Sequence, residues 1–134
     1  MNFQSAQEFI RLRLSDNLDD QREAAHGTAA TEVWMQVLRD RPDLAYWVAQ
    51  NKTVPMEVLR FIALSDLDTD ARRMVALKRK ATPDLLDLLS ADPDESVRRT
   101  VARHRNASDQ TLLKLASDPD QDVREIASDR IGSH

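Results

Sequence analysis

The sequence predicts an all-α solenoid, a fold of stacked pairs of short antiparallel helices. An Asp-rich turn followed by an apolar residue and Arg recurs at a constant offset of 26 positions, and Asp66, Asp92 and Asp118 open its successive copies. Aromatic residues make up only 4% of the chain and Gly occurs only twice, which argues against a sheet fold. Each predicted helix is shorter than the roughly 12 to 15 residues that an isolated helix needs in water, so stacking must supply the stability.

The segment 1–27 departs from the repeat and predicts an N-terminal cap that covers one face of the stack. Ser5 followed by Glu8 is a capping box, a pattern typical of a helix start. Gly27 follows an apolar stretch, as a helix-terminating glycine does. The predicted elements are a helix at 6–14, a turn at 16–20, a second helix at 21–26 and a left-handed C-cap at Gly27.

Four helix-pair units are predicted to follow the cap within one domain, 1–134. Apolar residues recur at spacings of three and four, which is typical of buried helix faces. Trp34 and Trp47 fall at such positions and are predicted to lie in the core. Val97 and Val101 lie four apart on one face, where they can meet the Leu residues of the preceding helix. The predicted units are 28–52, 53–80, 81–105 and 106–130.

The repeated segments resemble a known family. The stretches DPDESVRRTVARH, DPDQDVREIA and DTDARRMVA, with Leu-rich helices such as PDLLDLLSA before them, are similar to HEAT-like repeats and to their short bacterial relatives, the leucine-rich repeat variant type. The resemblance covers roughly 41–130. It implies a right-handed solenoid that serves mainly as an interaction surface, with ladders between units made by an Asp and an Arg six residues later. The matching pairs are Asp66 and Arg72, Asp92 and Arg98, and Asp118 and Arg124.

These Asp and Arg pairs have a structural interpretation and a functional one. In the structural interpretation the Asp caps the second helix of a unit and the Arg bonds to it between stacked units. In the functional interpretation they are acid or anion sites. The structural interpretation is favoured, because the residues recur with the repeat period.

Charge is segregated along each predicted unit. The turns that enter the second helices are acidic, and the exits are basic. Helix dipoles favour this arrangement by a few tenths to about 1 kcal/mol for each charge, so the pattern has a structural explanation. The alternative is that the basic edge docks an acidic protein or a phosphate backbone. The basic edge contains Lys52, Lys78, Arg79, Lys80, Arg103, His104, Arg105 and Arg130.

An exposed stripe on the second helices favours partner binding. Arg73, Arg99 and Arg103 occupy it, with Tyr46 at the matching place upstream, and Arg and Tyr are common interface anchors. We therefore predict a non-enzymatic protein-interaction module for an acidic or mixed-charge partner. The alternative is nucleic-acid binding through the basic edge, against which stand the net charge of -4 and the few aromatic residues. The predicted partner-binding residues are Tyr46, Lys52, Arg73, Lys78, Arg79, Lys80, Arg99, Arg103, His104 and Arg105.

The sequence gives no sign of catalysis, a cofactor or a metal site. It has no HExxH, no glycine-rich phosphate loop and no nucleophile elbow. The absence of Cys excludes disulfides and thiolate metal ligands. No apolar run of about 18 residues and no signal sequence are present, so we expect a cytoplasmic protein without a membrane partner. Because 131–134 offers no apolar face, we expect a monomer or weak self-association through the C-terminal unit.

Overall fold

The computed structural model describes residues 1–132 and confirms the all-α class. Ten α-helices lie in this range, with a single 3-10 turn at Pro42–Leu44 and a two-residue pairing of strands β1 (Asn2–Phe3) and β2 (Thr28–Ala29). The helices are α1 (Ala6–Arg13), α2 (Leu18–His26), α3 (Thr31–Asp40), α4 (Ala45–Gln50), α5 (Met56–Ala63), α6 (Thr69–Leu77), α7 (Pro83–Leu89), α8 (Glu95–Arg103), α9 (Asp109–Leu115) and α10 (Gln121–Gly132).

Two compact units divide the chain, unit 1 at Met1–Ala71 and unit 2 at Arg72–His134. Within residues 1–132 none of the helices has the length and apolar character needed to cross a bilayer. The predicted open C-terminal end, 131–134, lies partly outside the described residues, and α10 continues through Gly132.

Unit 1 is built around an aromatic cluster. The rings of Phe3, Phe9 and Trp34 meet edge to face at centroid distances of 5.1–5.9 Å, an arrangement that aromatic quadrupoles favour. All three side chains are buried. The predicted core position of Trp34 is therefore confirmed, and the N-terminal segment contributes two of the three rings.

The N-terminal cap differs from its prediction at one helix boundary. Ser5 does cap α1, since its hydroxyl accepts a hydrogen bond from the Glu8 amide. The predicted turn at 16–20 is wrong, because α2 already begins at Leu18. Its N-cap is Asn17, whose side chain accepts hydrogen bonds from the amides of Asp19 and Asp20. A capping Asn followed by acidic residues is a helix-start signal.

Gly27 is not the predicted left-handed cap. Its backbone is extended, with φ −68° and ψ 157°, and the following residues pair with β1. The position requires glycine for a steric reason instead. A Cβ on Gly27 would overlap the ring of Phe3 and lie 2.8 Å from the carbonyl oxygen of Glu23. Glycine is therefore needed at position 27 because a side chain would not fit against the Phe3 ring, and not because the backbone is left-handed.

We expect Gly27→Ala to lower the free energy of unfolding by about 1 to 3 kcal/mol, because the added methyl group must displace the buried Phe3 ring. Chemical denaturation followed by circular dichroism measures the change. Gly132→Ala is the matched control, since nothing lies within 4 Å of a Cβ there, and it should raise helix stability slightly. A Gly27→Ala protein as stable as wild type would contradict this packing.

Unit 2 has the predicted Leu and Val core. Val97 and Val101 of α8 are completely buried, as are Leu85 and Leu86 of α7, and Leu89 is 1% exposed. Burial of each such side chain contributes roughly 1.5 to 3 kcal/mol. These helices therefore gain their stability from packing.

In the sequence, Thr82 before Pro83 and the residue Ser108 predict caps for the first helices of unit 2, and both caps are confirmed. The Thr82 hydroxyl accepts a hydrogen bond from the Leu85 amide, and Pro83 occupies the first helical position of α7. Ser108 caps α9 in the same way through the Thr111 amide. Hydroxyl caps satisfy amides that have no partner within the helix.

Candidate partner-binding site

The recurring Asp and Arg residues form a buried ladder with a different pairing from the one predicted. Arg72 binds the carboxylate of Asp92, with Nε 2.6 Å from Oδ2, and Arg98 binds Asp118, with Nε 2.8 Å from Oδ2. Each Arg thus pairs with the Asp of the following turn rather than with the Asp of its own turn. Its contact with the earlier Asp is made to the backbone, as Arg98 Nη1 donates to the Asp92 carbonyl.

The two Asp residues of the turn before α8 have separate roles. The Asp92 side chain accepts from the Asp94 amide while it holds Arg72, and it does not cap α8 as predicted. Asp94 is the cap, since its carboxylate accepts from the Ser96 amide and hydroxyl. The hydrogen bond from the Ser96 side chain lowers the pKa of Asp94. The hydrogen bond with Asp118 has the opposite effect on a cation, because it raises the pKa of Arg98.

Two second helices of the pairs, α6 and α8, end within unit 2 and are followed by another repeat. Side chains of the following repeat form hydrogen bonds with the backbone at the C-terminal ends of these two helices, the helix exits. His104 Nε2 lies 2.7 Å from the Lys78 carbonyl oxygen, and Arg130 Nη1 donates to the carbonyls of Ala102 and His104. Both side chains therefore satisfy carbonyls near the C-terminus of the preceding second helix. Part of the basic edge serves this helix-terminating role, as the dipole explanation expects.

Both ring nitrogens of His104 form hydrogen bonds in this arrangement. The Lys78 carbonyl can only accept, so Nε2 carries the hydrogen. Nδ1 accepts a hydrogen bond from the Asn106 amide at 3.0 Å. Neither nitrogen is left to ligate a metal or to transfer a proton. Across residues 1–132 no group of three His, Asp or Glu side chains could hold a metal ion.

An open cleft lies beside these exits in unit 2. Its larger part has a volume of about 390 Å³, and an adjoining part of about 230 Å³ shares Leu77, Arg103 and His104 with it. We call the two parts together the exit cleft. The larger part is lined by Leu77, Arg79, Arg103, His104 and Arg105, and the smaller part adds Ala76 and Thr100.

Three basic side chains of the exit cleft have no partner among residues 1–132. The guanidinium groups of Arg79, Arg103 and Arg105 form neither an ion pair nor a hydrogen bond there, and all three residues are exposed. They differ in this from Arg72, Arg98 and Arg130, which are held by carboxylates or carbonyls. The structure thus brings four of the predicted partner-binding residues together, the fourth being His104.

The remaining predicted residues of unit 2 are partly engaged within the protein. Arg73 Nη1 donates to the Ser96 hydroxyl at 3.2 Å. Arg99 lies 3.9 Å from Asp120 and 3.8 Å from Asp122, and its buried Nε lacks a partner in the described part of the chain. Lys78 contributes its carbonyl to His104. Lys80 is exposed, and desolvation by neighbouring atoms lowers its pKa.

Tyr46 and Lys52 lie in unit 1, and neither lines the exit cleft. Tyr46 is half-buried and meets the Trp47 ring edge to face at 5.0 Å, whereas Lys52 is exposed. Trp47 is only half-buried, with the Arg13 guanidinium 3.7 Å from its ring centroid. Trp47 therefore lies at the edge of the core rather than fully inside it as predicted, because the Arg13 guanidinium of α1 covers the ring.

Leu77 was absent from the predicted partner-binding residues, although it lines both parts of the exit cleft. It is 56% exposed at the last position of α6. The signal in the sequence was its place on the exposed stripe, where the equivalent positions hold the polar residues Gln50, Arg103 and Asp129. Ala76, Thr100 and Asn106 carried no signal, because their roles depend on the approach of two helix ends.

Comparison with known proteins supports the repeat assignment. The family model described as leucine rich repeat variant matches residues 96–120, which run through α8 and α9 to the turn before α10. The resemblance inferred from the sequence is confirmed for this segment. Comparisons with curated proteins and with solved structures found no significant match.

Proposed function

From the leucine rich repeat variant match in unit 2, we infer that this chain is a non-enzymatic, HEAT-like repeat module. We propose that it binds an acidic or mixed-charge protein partner through the exit cleft, which lies where the second helices α6 and α8 end. Stacked helical repeats present extended surfaces for binding. The proposal includes a right-handed solenoid with a 26-residue period and the units 28–52, 53–80, 81–105 and 106–130.

The observation that carries this proposal is the group of unpaired guanidiniums in the exit cleft. Arg79, Arg103 and Arg105 place three like charges around one cleft, where they repel one another. Neighbouring basic residues find internal partners, whereas these three find none in the described part of the chain. An anionic partner would relieve the repulsion, and Arg offers it a planar group suited to carboxylates.

Two acidic residues of unit 2 are unavailable to compete with an anionic partner. Asp92 and Asp118 are buried and hold Arg72 and Arg98. The segment 72–134 contains twelve Lys and Arg residues against eleven Asp and Glu residues, whereas 1–71 contains seven against twelve. Unit 2 therefore has the charge to accept an acidic partner, although the whole chain is acidic.

Nucleic-acid binding is the second candidate, because the same guanidiniums fit phosphates. Single-stranded nucleic acids are usually bound by stacking on aromatic side chains as well as by charge. The segment 72–134 contains no Phe, Tyr or Trp. This composition favours a protein partner.

Fluorescence anisotropy with the whole chain tests the two candidates. The probes are a labelled acidic peptide and a labelled single-stranded oligonucleotide, each titrated at about 50 mM and about 200 mM salt. We expect the peptide to bind, and Arg103→Glu to weaken it about tenfold, equivalent to roughly 1.4 kcal/mol.

Arg11→Glu is the matched control, because Arg11 is exposed on α1 of unit 1 and should leave peptide binding unchanged. Oligonucleotide binding that weakens with salt at a log–log slope of about −2 would indicate three neutralised phosphates and would favour the second candidate. Equal peptide affinities for wild type and Arg103→Glu would overturn the proposed site.

A further inference from the structure

We propose that the exit cleft takes a segment of a partner protein in which one apolar side chain is flanked by carboxylates. Recognition would then depend on the apolar anchor as well as on charge. This inference rests on the proposed function and specifies the kind of acidic partner that the site accepts.

The first support is the apolar character of the smaller part of the exit cleft. Leu77 is exposed over 56% of its surface, although it lies beside the buried Ala76. Together with Thr100, Arg103 and His104, these residues line a space of about 230 Å³ whose surface is mostly apolar. That volume is below the range of about 300 to 1,000 Å³ of small-molecule pockets. It suits one side chain of an extended segment, and an apolar one would remove Leu77 from water.

The second support is the position of the charges relative to this space. Arg103 and His104 line both parts of the exit cleft, whereas Arg79 and Arg105 line only the larger part. A segment with its apolar side chain against Leu77 therefore places its neighbouring residues beside guanidiniums. Carboxylates at those neighbouring positions would form charge-assisted hydrogen bonds.

The third support is that the backbone bearing these side chains is tied in place. Asn106 donates to the carbonyls of Arg79 and Ala81, at 3.1 Å and 3.0 Å. The helix exit is also held by Arg130, which donates to the His104 carbonyl at 2.5 Å. A site whose backbone is already ordered loses less entropy when it binds.

A second copy of the chain is the rival occupant, because the sequence contains exposed Leu residues next to acids. Leu18 is 67% exposed and precedes Asp19 and Asp20, and Leu67 is 38% exposed between Asp66 and Asp68. Light scattering over a dilution series distinguishes the two occupants. Self-association that Leu77→Ser abolishes would identify a second copy and overturn the assignment to a separate partner protein.

The deciding experiment compares two labelled peptides of equal charge by anisotropy with the full chain. One peptide has a Leu between two pairs of Glu, and the other has Ser in place of that Leu. We expect wild type to bind the Leu peptide about 5- to 10-fold more tightly. Leu77→Ser should abolish this preference while it retains the weaker binding of the Ser peptide.

Leu113→Ser is the matched control, since Leu113 is 60% exposed on α9 and lies outside the exit cleft; it should keep the preference. Leu77→Met, an apolar replacement, should keep most of it, and thermal unfolding verifies that each variant is folded. Equal binding of both peptides by wild type overturns the apolar anchor and leaves the proposed function standing. Absence of binding by both peptides at low salt overturns the proposed function as well.

Discussion

Asp92→Ala is expected to lower the free energy of unfolding by about 3 to 5 kcal/mol. The Asp92 side chain is only 3% exposed and its partner Arg72 only 10% exposed. The substitution leaves the Arg72 charge in an environment with little water and without its bidentate acceptor. It also removes the acceptor of the Asp94 amide, which weakens the turn before α8. Urea denaturation of the purified chain measures the loss.

Two comparisons separate burial from charge in this prediction. Asp87→Ala breaks an ion pair with Lys114 in which the charged atoms are 2.6 Å apart, the same distance as in the Arg72–Asp92 pair. In the Asp87–Lys114 pair, however, both side chains are more than half exposed. Because Asp87 also accepts a hydrogen bond from the buried Thr111 hydroxyl, the substitution should cost about 1 to 2 kcal/mol. Asp118→Ala removes the equivalent buried partner of Arg98 and should cost as much as Asp92→Ala. A loss below about 1 kcal/mol for both buried positions would show that the ladder adds no stability.

The double variant Arg72→Met with Asp92→Leu tests what the ladder contributes beyond stability. Replacing a buried ion pair by apolar residues of similar size is often neutral or stabilising. We expect the double variant to recover the part of the loss that comes from the Arg72 charge, but not the part that comes from the Asp94 amide. In that case the Asp–Arg pairs would recur because they fix how successive units align, and not because they stabilise the fold.

The parts of the fold that follow from local rules could be predicted from the sequence. Ser5, Thr82 and Ser108 were recognised as helix caps because capping depends on close neighbours in the chain. The core positions Val97 and Val101 followed from their spacing of four. Such signals are contained within one helix and the turn before it, so they need no knowledge of tertiary structure.

The errors concern residues whose role depends on distant parts of the chain. Gly27 was assigned to a left-handed cap from its local sequence. Its actual role depends on a contact with Phe3, which lies far from it in sequence and could not be seen there. Trp47 was assigned to the core because an apolar helical position does not reveal that Arg13 covers the ring. The partner of Arg98 was misassigned for the same reason, as Asp118 belongs to the next unit.

The candidate site was predictable in charge but not in shape. The predicted basic edge included Arg79, Arg103 and Arg105. It also included His104, which forms two hydrogen bonds within the protein. Composition cannot distinguish a cation that completes a helix terminus from one that faces solvent, since both follow from the same dipole preference. To distinguish the two, one must know where the carbonyls of the preceding repeat lie. Those positions depend on how the helix ends stack in three dimensions.

Val101→Asp is the second large effect that we expect, because it should abolish the cooperative unfolding transition of unit 2. Val101 is completely buried in α8, and the Leu and Val side chains of this core cannot hydrogen-bond an added carboxylate. A buried, unpaired charge costs several kcal/mol, and the lost packing adds to it. That sum approaches the whole stability of a domain, about 5 to 15 kcal/mol.

Differential scanning calorimetry and circular dichroism measure this outcome. Val101→Ala should retain a cooperative transition with a loss of about 2 to 3 kcal/mol, because it removes only packing. Leu113→Asp introduces the same charge at an exposed position of α9 and should change stability by less than about 0.5 kcal/mol. If Val101→Asp unfolded cooperatively near the wild-type temperature, the α8 core would not be the source of unit 2 stability, and the packing proposed for the repeats would fail with it.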